Sequence, residues 1–222
     1  MSVELLPQTM KTTGSGEPAV LSVEGLKRDF GSREIVRSLT LEVEPAMRVA
    51  LSGPNGSGKT TLLRCIAGTL LPTRGRIQIA GRAPGTMAAR HAVGVSMSQD
   101  RSFYLRISGR ANLLFYARLR HGSSRQAARD VAEVVEELEI GDIAAERADR
   151  CSTGMVQQLS LARALLGSPL LLLLDEPTRS LDKEARERLW AAVDRRTRLA
   201  VVIASHLEED LERCGVRVDF PT

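Results

Sequence analysis

The sequence predicts an α/β fold with a mainly parallel sheet, an antiparallel β fringe at the front and an inserted α-helical lobe. Three observations lead there. Residues 48–52 (RVALS), 170–174 (LLLLL) and 199–204 (LAVVIA) are nearly continuous apolar runs, as expected of strands that helices cover on both faces. Residues 39–43 alternate instead, with Leu39, Leu41 and Val43 on one face and Thr40 and Glu42 on the other, which is the pattern of a half-exposed strand. From about 103 to 154 the chain is helix-rich, and this stretch interrupts the core as a lobe.

In chain order, residues 1–18, rich in Thr, Gly and Pro, read as a flexible tail. Strands follow at 20–23, 39–43 and 48–52, and a helix at 59–67, where Leu62, Leu63, Ile66 and Ala67 have the spacing of a face packed on a sheet. Strands at 76–80 and 93–96 precede the lobe helices at 110–120 and 124–138. A helix at 155–166 leads into the strand at 170–174, and a helix at 184–195 into the strand at 199–204. Residues 19–222 thus form a single domain, with the lobe inserted at about 100–163.

The chain of 222 residues, 43% hydrophobic, can bury one full core. Its apolar runs are far too short to cross a bilayer and its start has no signal-peptide core, so it is expected to be neither secreted nor membrane-spanning. Cys65, Cys151 and Cys214 are odd in number and lack metal-ligand spacing, which suits free thiols in a reducing compartment. A net charge of +4 with scattered arginines and only 3% aromatic residues lacks the basic stripe and stacking rings of a nucleic-acid binder, so no nucleic-acid partner is expected.

The chemistry concentrates at Gly53-Pro54-Asn55-Gly56-Ser57-Gly58-Lys59-Thr60, followed by Thr61. Strand, glycine-rich loop, then Lys-Thr opening a helix is the P-loop arrangement. Its backbone N–H groups converge on a phosphate, helped by the positive end of the helix. The same spelling in a bare surface turn would lack the flanking strand and helix. Lys59 would reach the β- and γ-phosphates and Thr60 would offer a hydroxyl to Mg²⁺. The apolar strand before Asp175-Glu176-Pro177 supplies the second signal: a P-loop core needs a carboxylate beside Mg²⁺ at the sheet's carboxyl edge. Glu176, one residue on, can take a proton from an attacking water.

With these motifs the chain resembles the ATP-binding subunits of ABC transporters, from about 21 to 206. Walker A is 53–60 and Walker B 171–175. The D-loop is Ser180-Leu181-Asp182, and Cys151-Ser152-Thr153-Gly154-Met155 is similar to the signature motif. Gln99 stands at the Q-loop position, His206 at the switch-histidine position, and Phe30 matches the aromatic residue that stacks on adenine. The resemblance implies ATP and Mg²⁺ as ligands, with Lys59, Thr60, Gln99 and Asp175 holding them. Glu176 would polarise the water and His206 contact the γ-phosphate. Ser152, Thr153, Gly154 and Asp182 would complete the site of a partner cassette in a head-to-tail dimer. Core packing is the plain alternative for Phe30, as a structural role is for His206; His91 and His121 are read as structural.

The signature departs from the family pattern: it lacks the leading Leu, and Thr153 and Met155 replace Gly and Gln. Met155 cannot donate the hydrogen bonds of a glutamine amide. The Ser-Thr-Gly-Met spelling and residues 100–113 resemble the export branch. That implies a second copy of the chain or a homologous ATPase subunit, separate integral membrane permeases, and a cytoplasmic place on the inner membrane face. Phe103, Tyr104, Leu105, Phe115 and Tyr116 are expected to form an exposed, aromatic-rich stretch for the permease, unless several make the lobe's own core. A soluble ABC-family ATPase and a small P-loop kinase are the rival readings. The chain stops soon after His206, at Thr222, where relatives usually add further strands or a regulatory tail, so no appended regulatory domain is claimed.

Overall fold

Two sheets of opposite character share the molecule. A computed structural model describes residues 9–10, 17–98 and 102–220. The chain begins with β1 (Thr9–Met10), β2 (Leu21–Phe30), β3 (Arg33–Val43), β4 (Arg48–Ser52), α1 (Lys59–Ile66) and β5 (Arg74–Ile79). It continues through α2 (Met87–Ala92), β6 (Val93–Ser96), α3 (Gly109–Arg118), α4 (Ser124–Glu137), α5 (Gly141–Ala145) and a 3₁₀ turn at Ala148–Arg150. It closes with α6 (Thr153–Leu165), β7 (Leu171–Asp175), α7 (Lys183–Asp194), β8 (Ala200–Ala204), α8 (Glu208–Leu211) and β9 (Val216–Asp219).

The front sheet has the order β1-β3-β2-β5, with β2 antiparallel to both β3 and β5. The second sheet, β6-β7-β8-β4-β9, is parallel throughout. Strands β4, β6, β7 and β8 are buried on both faces, as mainly apolar parallel strands under helices should be, whereas the edge strand β9 exposes Arg217 and Asp219. Leu172, Leu174, Val201 and Ile203 point into a core shared with the lobe. Leu171, Leu173, Val202 and Ala204 point into a core shared with the front sheet and α1.

The β2–β3 hairpin is much longer than its sequence suggests, because register shifts between Val23 and Asp29 break the two-residue alternation. β1 pairs in parallel with β3 through Thr9↔Thr40 and Met10↔Leu41, inside the segment expected to be a tail. Leu170, expected to open a strand, is 45% exposed, and β7 runs to Asp175 instead.

The lobe is α3 to α5 with the 3₁₀ turn, packed on α6. Its aromatic residues divide. Phe103 is buried, and half-buried Tyr116 donates from its hydroxyl to the Ser102 carbonyl at 2.6 Å. Tyr104, Leu105 and Phe115 are exposed. Among the described residues, no helix is long and apolar enough to cross a membrane.

For function, register matters most. Leu51 and Asp175 both pair with Ala204, so β4, β7 and β8 end level. The loops that leave them, at Gly53, Glu176 and His206, therefore start side by side at the sheet's carboxyl edge, where α/β folds bind ligands.

Candidate functional site

The loop between β4 and α1 is held open by close backbone approaches. Gly53 and Gly58 have φ of +140° and +109°. A Cβ there would lie 2.5 Å from the Phe220 carbonyl oxygen and 2.7 Å from that of Ile35, respectively. Only glycine meets both demands. Gly58 is the N-cap of α1, so the helix's positive end opens into the loop. Lys59 is 6% exposed and folds back over the loop, its Nζ donating to the Gly53 carbonyl at 2.6 Å and the Pro54 carbonyl at 2.9 Å. Burial holds its pKa below the usual lysine value, against the pull of Glu176 and Asp175.

A cavity of about 360 Å³ lies over this loop, and its walls include Phe30, Lys59, Thr60, Asp175, Glu176 and His206. Buried Asp175 accepts from the Thr60 hydroxyl, 3.1 Å from each carboxylate oxygen, and from the Ser98 hydroxyl at 2.9 Å. Carboxylate and hydroxyl oxygens are the donors a hard cation such as Mg²⁺ takes. The buried Ser57 hydroxyl has no hydrogen-bond partner, although such groups are nearly always paired. Oxygen ligands for a cation beside the open glycine loop, the start of α1 and Lys59 fit a triphosphate with its cation.

Glu176 leaves β7 with a left-handed φ of +48°, and its N–H donates to the Ala204 carbonyl at 2.8 Å. His206 Nε2 lies 3.1 Å from Glu176 Oε1 and 2.6 Å from Asn55 Oδ1. Both neighbours are acceptors, so we place the ring proton on Nε2. Burial raises the Glu176 pKa above the ordinary glutamate value, with His206 pulling the other way. A carboxylate pushed in this direction inside a cleft suits general-base work. A strained residue held between two pinned strand ends is also typical of a functional position.

The family profile described as ABC transporter matches residues 36–179. This chain belongs to the ABC transporter family. It is 34% identical over 207 residues to a Nod factor export ATP-binding protein I of Rhizobium johnstonii, covering 90% of this chain and 66% of the relative. The chain thus spans just under two thirds of that relative's length. Among solved structures, the ATP-binding subunit of an ABC transporter superposes with a TM-score of 0.82 at 24% identity, covering 90% of this chain and 85% of the other. A dimeric post-hydrolysis cassette bound to ADP and Pi gives 0.80 at 18%, covering 90% and 94%. At these identities the superpositions establish the shared fold, here the P-loop core expected from the sequence.

Placed on this ABC fold, the expected site residues fall into two groups. Phe30, Asn55, Gly56, Gly58, Lys59, Thr60, Thr61, Asp175, Glu176 and His206 all border the cavity, while Gly53, Pro54 and Ser57 complete its loop. Phe30 is 49% exposed rather than a core residue, with the Arg28 guanidinium 4.3 Å from its ring centroid. Gln99 lies outside the described residues.

Residues 151–155, expected to be the signature, and Asp182 do not border this cavity. Ser152 caps α6, its hydroxyl accepting from Met155 N–H at 3.2 Å. Ser152 N–H in turn meets the Met155 sulfur at 3.4 Å, so a weak sulfur acceptor closes the reciprocal cap. Thr153 is exposed in the first turn. Asp182 caps α7 by accepting from Ala185 N–H at 2.8 Å. Gly154 is a glycine for want of room: a Cβ would stand 2.6 Å from the Ser180 carbonyl oxygen. Four residues of the cavity wall, Arg33, Ile35, Ser98 and Arg179, escape sequence reasoning. Ser98, which bonds Asp175, is an ordinary serine with no motif to mark it, and Arg179, between Glu176 and the D-loop, looks like any exposed arginine.

Proposed function

We propose that this chain binds MgATP and hydrolyses it to power an ABC exporter, working in head-to-tail pairs on separate integral membrane permeases at the inner membrane face. The observation that carries the reading is the meeting of Lys59, the Thr60–Asp175 pair, Glu176 and His206 at one cavity on the carboxyl edge of the parallel sheet. In this reading Lys59 turns from its loop carbonyls to the phosphates, and Thr60 and Asp175 hold the cation. Bound Mg²⁺ supplies charge neutralisation to the phosphate oxygens. Glu176 takes the proton of the water that attacks the terminal phosphorus, and His206, hydrogen-bonded to Asn55 and 3.1 Å from Glu176 Oε1, positions that carboxylate while facing the same phosphate.

Pairing is supported by the signature segment, whose exposed helix start does not reach the chain's own cavity and so is left to serve another. Export follows the printed function of the Rhizobium johnstonii relative and the Ser-Thr-Gly-Met spelling. Nucleotide titration of purified chain tests the first step. Phe30→Ala removes a stacking face worth roughly 1–3 kcal/mol, so the ATP Kd should rise about tenfold or more, with Trp or Tyr at this position restoring it. An unchanged Kd would take Phe30 out of the site.

The permease reading rests on the exposed lobe surface of Tyr104, Leu105, Ile107 and Phe115, where the Tyr104 and Phe115 rings meet edge to face at 5.2 Å. Such aromatic anchors dominate protein interfaces. The Tyr104 backbone is pinned by buried Asn112, which accepts from its N–H at 2.7 Å and donates to its carbonyl at 3.0 Å. Tyr104→Arg should therefore leave the fold and the ATPase of the isolated chain intact while lowering its membrane-bound fraction and cargo export. A mutant still fully membrane-bound in cells would discard this surface as the coupling route.

A further inference from the structure

Asp210, on α8, is a carboxylate only 1% exposed that lies outside the cavity lining. One of its oxygens, Oδ2, accepts from two hydroxyls, Thr178 Oγ1 at 2.5 Å and Ser205 Oγ at 2.7 Å. The other, Oδ1, accepts from the Trp190 indole N–H at 3.2 Å. All three donors are themselves buried. The Ser205 hydroxyl also accepts from Leu207 N–H at 3.1 Å while donating its proton to Asp210.

The two hydroxyls come from the two segments that carry the reacting groups. Ser205 immediately precedes His206. Thr178 lies inside the turn that begins at Glu176, whose left-handed φ needs its surroundings to hold it. A single buried oxygen, outside the cavity lining, therefore ties the turn after β7 to the turn after β8. The Glu176–His206 contact of 3.1 Å spans the same two turns.

Resting on the catalytic reading above, we infer that Asp210 is a positioning residue that sets the spacing and orientation of Glu176 and His206 through Thr178 and Ser205. It touches no reacting atom. Its substitution should therefore lower kcat and spare nucleotide affinity, because Phe30, Lys59 and the glycine loop are left alone.

Asp210→Asn keeps the volume but has one accepting oxygen, so either the two hydroxyls or the indole loses its acceptor. Thr178→Val and Ser205→Ala each remove one arm without touching Asp210 and serve if Asp210→Asn folds poorly. We expect kcat of Asp210→Asn to fall about 10–100-fold, as small misplacements of reacting groups do, with the MgATP Kd within about threefold of wild type. In a His206→Ala background the further loss should be much smaller than in wild type, since residues acting as one unit are not additive. Losses that multiply, or a lowered Tm with unchanged kcat, would reduce Asp210 to a structural residue and overturn the inference. If Glu176→Gln and His206→Ala themselves retained turnover, the catalytic reading would fail first, and that result is distinct from an inert Asp210→Asn beside two dead variants.

Discussion

Glu176→Gln is expected to keep nucleotide binding and to lower turnover by about 10²–10⁴, the usual effect of removing a general base. The exchange preserves shape and removes only the ability to accept the proton from water, so the loss should fall on kcat. The variant should accumulate as a nucleotide-loaded pair. A second, opposite effect follows from the same carboxylate. Burial raises its pKa in the folded chain, so its stabilising contribution is present when it is protonated at low pH and disappears as pH rises through the raised value. Near neutral pH the ionised group costs the nucleotide-free chain stability, and Gln does not. Melting curves should place the Tm of Glu176→Gln at or above wild type, with the gain shrinking on acidification. Steady-state hydrolysis within about twofold of wild type would remove Glu176 from the base role.

Ser152→Arg should abolish hydrolysis while the isolated chain still binds ATP. Ser152 is exposed at the start of α6 and its own cavity lies elsewhere, so a long cation there would block only a neighbour's nucleotide. It is the better probe than Gly154→Asp, whose side chain would first collide with Ser180 of the same chain. Lys59→Ala should also be inactive alone, through loss of its own phosphate contact. Mixed together, the two variants should recover activity, because one composite site then joins an intact loop to an intact signature. Loss of ATP binding by a folded Ser152→Arg monomer would rule out the shared-site arrangement.

The centre of the parallel sheet was legible because β4, β7 and β8 are buried on both faces, which leaves nearly unbroken apolar runs such as 171–174. The hairpin of β2 and β3 was legible only in part. Its bulges between Val23 and Asp29 throw polar and apolar residues off a two-residue period, and no window of sequence restores it. β9 and α8 are four residues each, too short to show periodicity, and they owe their form to neighbours distant in sequence. The loop at 53–60 and the Asp175–Glu176 pair could be read directly, since their chemistry demands particular residues at fixed spacing. Asp210 could not. A lone acid in a Glu-rich segment looks solvated, and only the fold brings Thr178, Ser205 and Trp190 around it.

The close contact between Gly154 and the Ser180 carbonyl makes a short strut. One end is the segment proposed to serve a neighbouring chain, and the other is four residues beyond Glu176. With no side chain between them there is nothing compressible to absorb a displacement. In a pair of such chains, the state of the carboxylate at one nucleotide would be felt at the signature serving the other. Two sites joined this way would be coupled, so that silencing one would change turnover at its sister as well as removing its own.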